Sequence, residues 1–146
     1  MKRLASLFIA LCAVVSLHAE KQHITFGELP HNAKIFVFTY FKDVPFTGVN
    51  IERRASLTQY EVQLKGGFKL QFDRTGLCTE VENKRAAIPD EVMPKKITQV
   101  AKKLFPAQYI TKFENNGRMY EVKLDNDAVL TFSRSLRLVD IEESEE

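Results

Sequence analysis

The chain is poor in the residues from which covalent and metal chemistry are built. It has two cysteines and three histidines among 146 residues. Cys12 and His18 lie in an N-terminal segment that reads as a secretory leader, so the exported part keeps only Cys78, His23 and His31. A lone cysteine excludes an intrachain disulfide, although an oxidising compartment would permit one. Two isolated histidines make no ligand cluster at metal-binding spacing. Cys78 has no surrounding motif that would supply an activating base. It reads as a half-buried structural cysteine in a strand. The expectation is no metal, no cofactor and no enzyme activity.

An excess of one charge is also missing. The full chain has 21 Lys+Arg against 19 Asp+Glu, and losing Lys2 and Arg3 with the leader brings the two to parity. A nucleic-acid binder needs a cationic surface to displace counterions from phosphates, so that class is excluded. The acidic end (Glu142, Glu143, Glu145, Glu146) reads as a solvated, frayed tail. Long apolar runs are absent outside the leader, so no membrane span is expected after cleavage.

The leader itself has the expected parts. Lys2 and Arg3 precede an apolar run at residues 4–17, and Ala19 offers a small residue before Glu20. The run is about 14 residues, short of the roughly 20 that span a bilayer. Leu17 is larger than the residue preferred two places before a cut. Cys12 comes too early, and after too large a residue in Leu11, for a lipoprotein signal. The expected division is a signal peptide at 1–19 and one exported domain at 20–146, periplasmic or secreted.

That domain reads as two copies of one unit, at about 29–83 and 88–143. Tyr60-Glu61-Val62-Gln63-Leu64 recurs as Tyr120-Glu121-Val122-Lys123-Leu124, and Leu70-Gln71-Phe72 as Leu130-Thr131-Phe132. Leu29-Pro30 is followed by Tyr40-Phe41 at the distance that separates Met93-Pro94 from Leu104-Phe105. The loop before the Tyr-Glu-Val motif is four residues shorter in the second copy. Each copy opens with a helix. Met93, Ile97, Val100, Ala101, Leu104 and Phe105 share one face in the second, with Lys95, Lys96, Gln99, Lys102 and Lys103 opposite. Asp90 is the expected N-cap there, with Pro94 in the first turn, and Pro106 ends the helix. In the first copy, Ala33, Phe36, Val37, Tyr40 and Phe41 take the same face, and the helix starts at Pro30.

The remainder of each copy has strand periodicity. Gly66-Gly67, Asp73-Arg74-Thr75-Gly76, Asn115-Asn116-Gly117 and Asp125-Asn126-Asp127 mark turns. Strands are expected near 60–64, 70–72, 78–81, 110–114, 118–124, 129–133 and 136–141. A helix followed by a short-turn meander is α+β with antiparallel strands. The polar link at 82–89 is too short to separate the copies freely, so their sheets should be continuous or closely packed.

This arrangement resembles the PepSY-like family of exported bacterial proteins, also called beta-lactamase-inhibitor-like. The matching features are Leu29-Pro30, Phe105-Pro106, the two Tyr-Glu-Val-x-Leu runs, and Phe72-Asp73-Arg74-Thr75-Gly76. The likeness covers about residues 29–143. Cys78 stands where the family often has a large aromatic, and Ser133 replaces Asp73 in a second turn that lacks the glycine. The resemblance implies tandem helix-plus-antiparallel-sheet units like beta-lactamase inhibitory protein, an envelope or extracellular location, and, by relation to other PepSY domains, binding or restraint of peptidases. Its motif residues are fold determinants and supply no active site.

Candidate binding residues follow from alternation. With Tyr60, Val62, Leu64, Leu70 and Phe72 beneath the helix, Glu61, Gln63, Lys69, Gln71, Glu121, Lys123 and Thr131 point the other way. Copies lying side by side would merge these into one mixed-charge surface for a protein or peptide partner. Glu61 and Glu121 are paired by duplication, at solvent-facing positions, rather than by acid–base chemistry. Ile35 and Phe38 lie off the shared apolar face, where the second copy has Gln99 and Lys102. They either pack against Ile24 and Phe26 or form a second partner patch. A flat face fits a protein partner; a convergent pocket between the copies fits a small ligand or peptide.

Overall fold

Two prolines start the two helices. Pro30 precedes α1 (His31–Tyr40) and Pro94 precedes α2 (Lys95–Leu104), each with φ near −55°. A fixed φ and a missing N–H cost nothing where the helix has no N–H partners to give. The computed structural model describes residues 20–145, so the leader segment expected at 1–19 lies outside the described residues. Asp90 does not cap α2. It opens a separate 3₁₀ turn, Asp90–Val92, and its carboxylate meets the Lys102 ammonium from α2. Lys102 and Lys103 in the last turn of α2 complement its carbonyl end.

The strands are β1 (Glu20–His23), β2 (Phe46–Arg54), β3 (Leu57–Leu64), β4 (Phe68–Asp73), β5 (Cys78–Glu82), β6 (Ile110–Asn115), β7 (Met119–Leu124), β8 (Val129–Ser133) and β9 (Leu138–Glu142). They form one sheet in chain order, every neighbour antiparallel. The two copies are therefore continuous, joined where β5 pairs with β6 through Glu80–Glu114, Val81–Phe113 and Glu82–Lys112. The segment read as a loop before Tyr60 holds β2, the longest strand. Val49 and Ile51 alternate there with Asn50 and Glu52, but Gly48 and the polar Glu52-Arg53-Arg54 end dilute the pattern. β1 lies beside β2 as β5 lies beside β6, so the sheet has one strand more than two four-stranded copies supply.

The duplication extends to irregularities. A bulge between Phe46 and Gly48 recurs between Ile110 and Lys112, and one at Gln71/Phe72 recurs at Thr131/Phe132. Both helices cover one face of the sheet. Ala33, Val37, Ile97 and Ala101 meet Val62, Leu70, Phe72, Val122, Leu130 and Phe132 in a single core. Phe72 and Phe132, equivalent in the two copies, are fully buried.

The turn after β4 explains one sequence difference. Asp73 Oδ1 accepts from the amides of Thr75 and Leu77 at 2.8 and 3.0 Å, and Gly76 takes φ +88°. In the second copy the Ser133 hydroxyl accepts from the Arg137 amide at 3.2 Å, and Leu136 takes the same left-handed conformation at φ 65°. Glycine is required only in the first: a Cβ on Gly76 would lie 2.8 Å from the Ala33 nitrogen and 2.9 Å from Pro30 Cβ.

Candidate functional site

The face away from the helices is ordered by strand register. One row of paired residues crosses the whole sheet: His23, Asn50, Glu61, Gln71, Glu80, Glu114, Glu121, Thr131, Asp140. Beside it runs a second row: Gln63, Lys69, Glu82, Lys112, Lys123, Val129, Glu142. The expected residues Glu61, Gln71, Glu121 and Thr131 fall in the first row, and Gln63, Lys69 and Lys123 in the second. Register thus brings these seven onto one surface. Duplication places Glu61 and Glu121 four strands apart, about 19 Å at ordinary strand spacing. No shared reaction joins carboxylates at that distance.

Exposure departs from the expectation at Glu61, which is only 8% exposed. Its carboxylate accepts from Gln63 Nε2 at 3.0 Å and pairs with Lys21 at 3.5 Å, both from its own face. Alternation assigns a face and says nothing of how far neighbouring side chains close over it.

Sequence reasoning missed the seam between the copies. There Glu80 and Glu114 stand directly opposite each other, like charges that repel across a strand pair. Lys112 compensates, with Nζ 2.7 Å from Glu114, 3.8 Å from Glu82 and 3.9 Å from Glu80. Lys69 reaches Glu80 at 3.3 Å. Burial pulls the Lys112 pKa down, but the Glu114 hydrogen bond and the charges of Glu80, Glu114 and Glu82 outweigh it and hold the value above that of an ordinary lysine. The signal lay in β5 and β6, whose acidic positions have the same period as Glu61 and Glu121 but not the repeated motif.

Two clefts open at opposite ends of these strands. One, of about 430 Å³, spans the copies: Gln59, Gln71, Asp73 and Glu80 line it from the first, Glu114 from the second, with exposed Leu57 and Leu77 at its side. The other, of about 760 Å³, lies between the Gly66-Gly67 turn and the link between copies.

The remaining candidates sit elsewhere. Ile35 and Phe38 are on the outer side of α1, 49% and 59% exposed. Phe38 meets Phe26 edge-on at 5.5 Å, and Phe26 stacks on Phe46 at 5.2 Å. The N-terminal segment therefore covers this patch only in part. Cys78 faces the core, its thiol donating to the Glu80 carbonyl at 3.5 Å. Burial pushes its pKa up to about 12, opposite to the shift that activates a nucleophile. Among the described residues no three acidic, histidine or cysteine side chains gather as a metal site would require, and no helix is long and apolar enough to cross a membrane.

A family model described as "Putative beta-lactamase-inhibitor-like, PepSY-like" matches twice, at residues 19–79 and 58–140. Solved structures share the fold, among them three proteins described as periplasmic. A "putative periplasmic protein" of the DUF2874 family from Bacteroides vulgatus is 31% identical, with TM-score 0.79, over 85% of this chain and 98% of its own. A "putative calcium-regulated periplasmic protein" from Bacteroides thetaiotaomicron is 28% identical, with TM-score 0.81, over 84% and 97%. A second Bacteroides vulgatus protein, a "putative periplasmic protein of unknown function", is 22% identical with TM-score 0.78 over 85% and 100%, a likeness of fold alone. No curated protein matches the chain.

Proposed function

Because the chain belongs to the PepSY-like, beta-lactamase-inhibitor-like family, we propose that it is an exported, non-catalytic binding module whose open sheet face receives another protein or peptide. The observation that carries this reading is the continuous face itself. One polar row crosses all nine strands and a second crosses β3 to β9, with both helices on the other side. The location follows that of the relatives, the periplasm. Binding or inhibition of an envelope or extracellular protein such as a peptidase is the finer form of the same reading.

The test is capture of partners from an envelope extract with Glu61→Lys, Lys69→Glu, Glu121→Lys and Lys123→Glu variants. Capture should weaken at least about tenfold when all four are combined. Capture unchanged by the combination rules the face out. Turnover that disappears on Cys78→Ser would instead restore an enzymatic reading.

The cleft between the copies favours a second reading, a periplasmic structural or sensory protein that holds a small ligand or peptide on the sheet. For the calcium regulation in the description of one relative, no group of three potential ligands gathers among the described residues. Glu80, Glu82 and Glu114 each face the Lys112 ammonium instead.

A further inference from the structure

The charged side chains that line the larger cleft are mainly cations. Lys65, Lys69, Lys84 and Arg85 line it against a single carboxylate, Glu82. Glu82 is shared between Lys84 at 4.0 Å and Lys112 at 3.8 Å, and Lys69 turns to Glu80. Among the described residues Lys65 and Arg85 make no ion pair. A chain that is near neutral overall thus has an excess of positive charge along this cleft, while the cleft at the other end of the same strands is lined by Asp73, Glu80 and Glu114.

The cleft is held open by backbone geometry. Gly66 and Gly67 both take φ +91°, which L side chains rarely adopt. Asn83, 1% exposed, fastens the turn to the link, donating to the Gly66 carbonyl at 2.9 Å and accepting from the Arg85 amide at 3.0 Å.

The same bonds narrow the class of anion. A phosphate cradle uses converging free backbone amides. Here the Lys65 amide goes to the Pro45 carbonyl, the Gly67 amide to Leu64 and the Asn83 amide to Thr111. With those amides and that of Arg85 taken, recognition falls mainly to long side chains placed along a shallow cleft, three of them lysines that act as separate point charges. That suits several carboxylates spaced along a chain better than one compact tetrahedral anion.

We propose that this cleft, between the Gly66-Gly67 turn and the link joining the copies, docks an acidic, Asp/Glu-rich peptide segment of a partner protein. The inference rests on the reading of the open face as a binding surface, since Lys69 and Gln63 belong to both.

Fluorescence anisotropy with labelled hexaglutamate tests it at low ionic strength on the exported chain. Hexaglutamate should bind, and Lys65→Glu/Arg85→Glu should weaken it by at least about tenfold. Lys95→Glu/Lys96→Glu, an equal charge change on α2, should leave binding within about twofold. Equal losses in both double variants would reduce the effect to net charge and overturn the site. So would absence of hexaglutamate binding, or cleft-dependent binding of inorganic phosphate or phosphatidylglycerol vesicles in its place. Cleft-dependent hexaglutamate binding with envelope capture indifferent to the sheet-face variants would remove the face and keep the cleft. Face-dependent capture without hexaglutamate binding would remove the cleft alone.

Discussion

At pH 8 the Cys78 thiol is protonated in the native protein and shielded by the core. A thiol reagent should therefore modify it at least about 100-fold more slowly than in denaturant, read as the rate of colour release from a disulfide reagent. The same burial couples stability to alkali. The ordinary thiol value is 9.0 and the native one about 12, so above pH 9 the unfolded chain releases a proton that the native chain keeps. Stability falls as pH rises from about 9 towards 12, and Cys78→Ala should flatten that slope in denaturant midpoints. Lys112 works in the same direction at a higher threshold. Its raised pKa gives stability that is present below the unfolded lysine value, about 10.4, and lost as pH climbs through the folded one. Lys112→Met should lower stability by about 1 kcal/mol at neutral pH, a modest figure because the side chain stays partly in water. Adding Glu114→Gln should recover part of it, since one of the opposed carboxylates is then neutral.

Turns and strands differ in how openly the sequence declares them. The helices, the Tyr-Glu-Val strands and the glycine turns were legible because side-chain period and φ requirements are local properties. β2 was not, since Gly48 and its bulge break the alternation where a strand would be recognised. Asp90 misled because its type suits a cap, whereas Pro94 sets where α2 begins. Leu136 carries the same lesson: the left-handed position persists without the glycine that advertises it. Space, rather than φ alone, should rank glycine substitutions. Gly117 has φ +85° with nothing within 4 Å of an added Cβ, while Gly76 meets α1 backbone at 2.8 Å. Gly117→Ala should cost about 1 kcal/mol and Gly76→Ala at least about 3, measured by denaturant unfolding.

The molecule should unfold as one unit, because β5 and β6 pair and the cores beneath the two helices form a single cluster. Phe132→Ala, in the second copy, should remove about 3–5 kcal/mol and shift one shared transition. Two separated transitions, by circular dichroism and tyrosine fluorescence together, would contradict that continuity. The face was legible as a set of residues from alternation. Its seam and its clefts were not, because they depend on which strands meet and on side chains from both copies. The register has a geometric consequence. All neighbours are antiparallel, so β3 and β7, four strands apart, run in the same direction. The copies are therefore related by a sideways step of about 19 Å with twist, and not by a dyad normal to the sheet. A two-fold symmetric partner cannot meet both copies in the same way. A partner that engages both alike must itself repeat at that pitch, or lie across the strands as a ruler laid along the row.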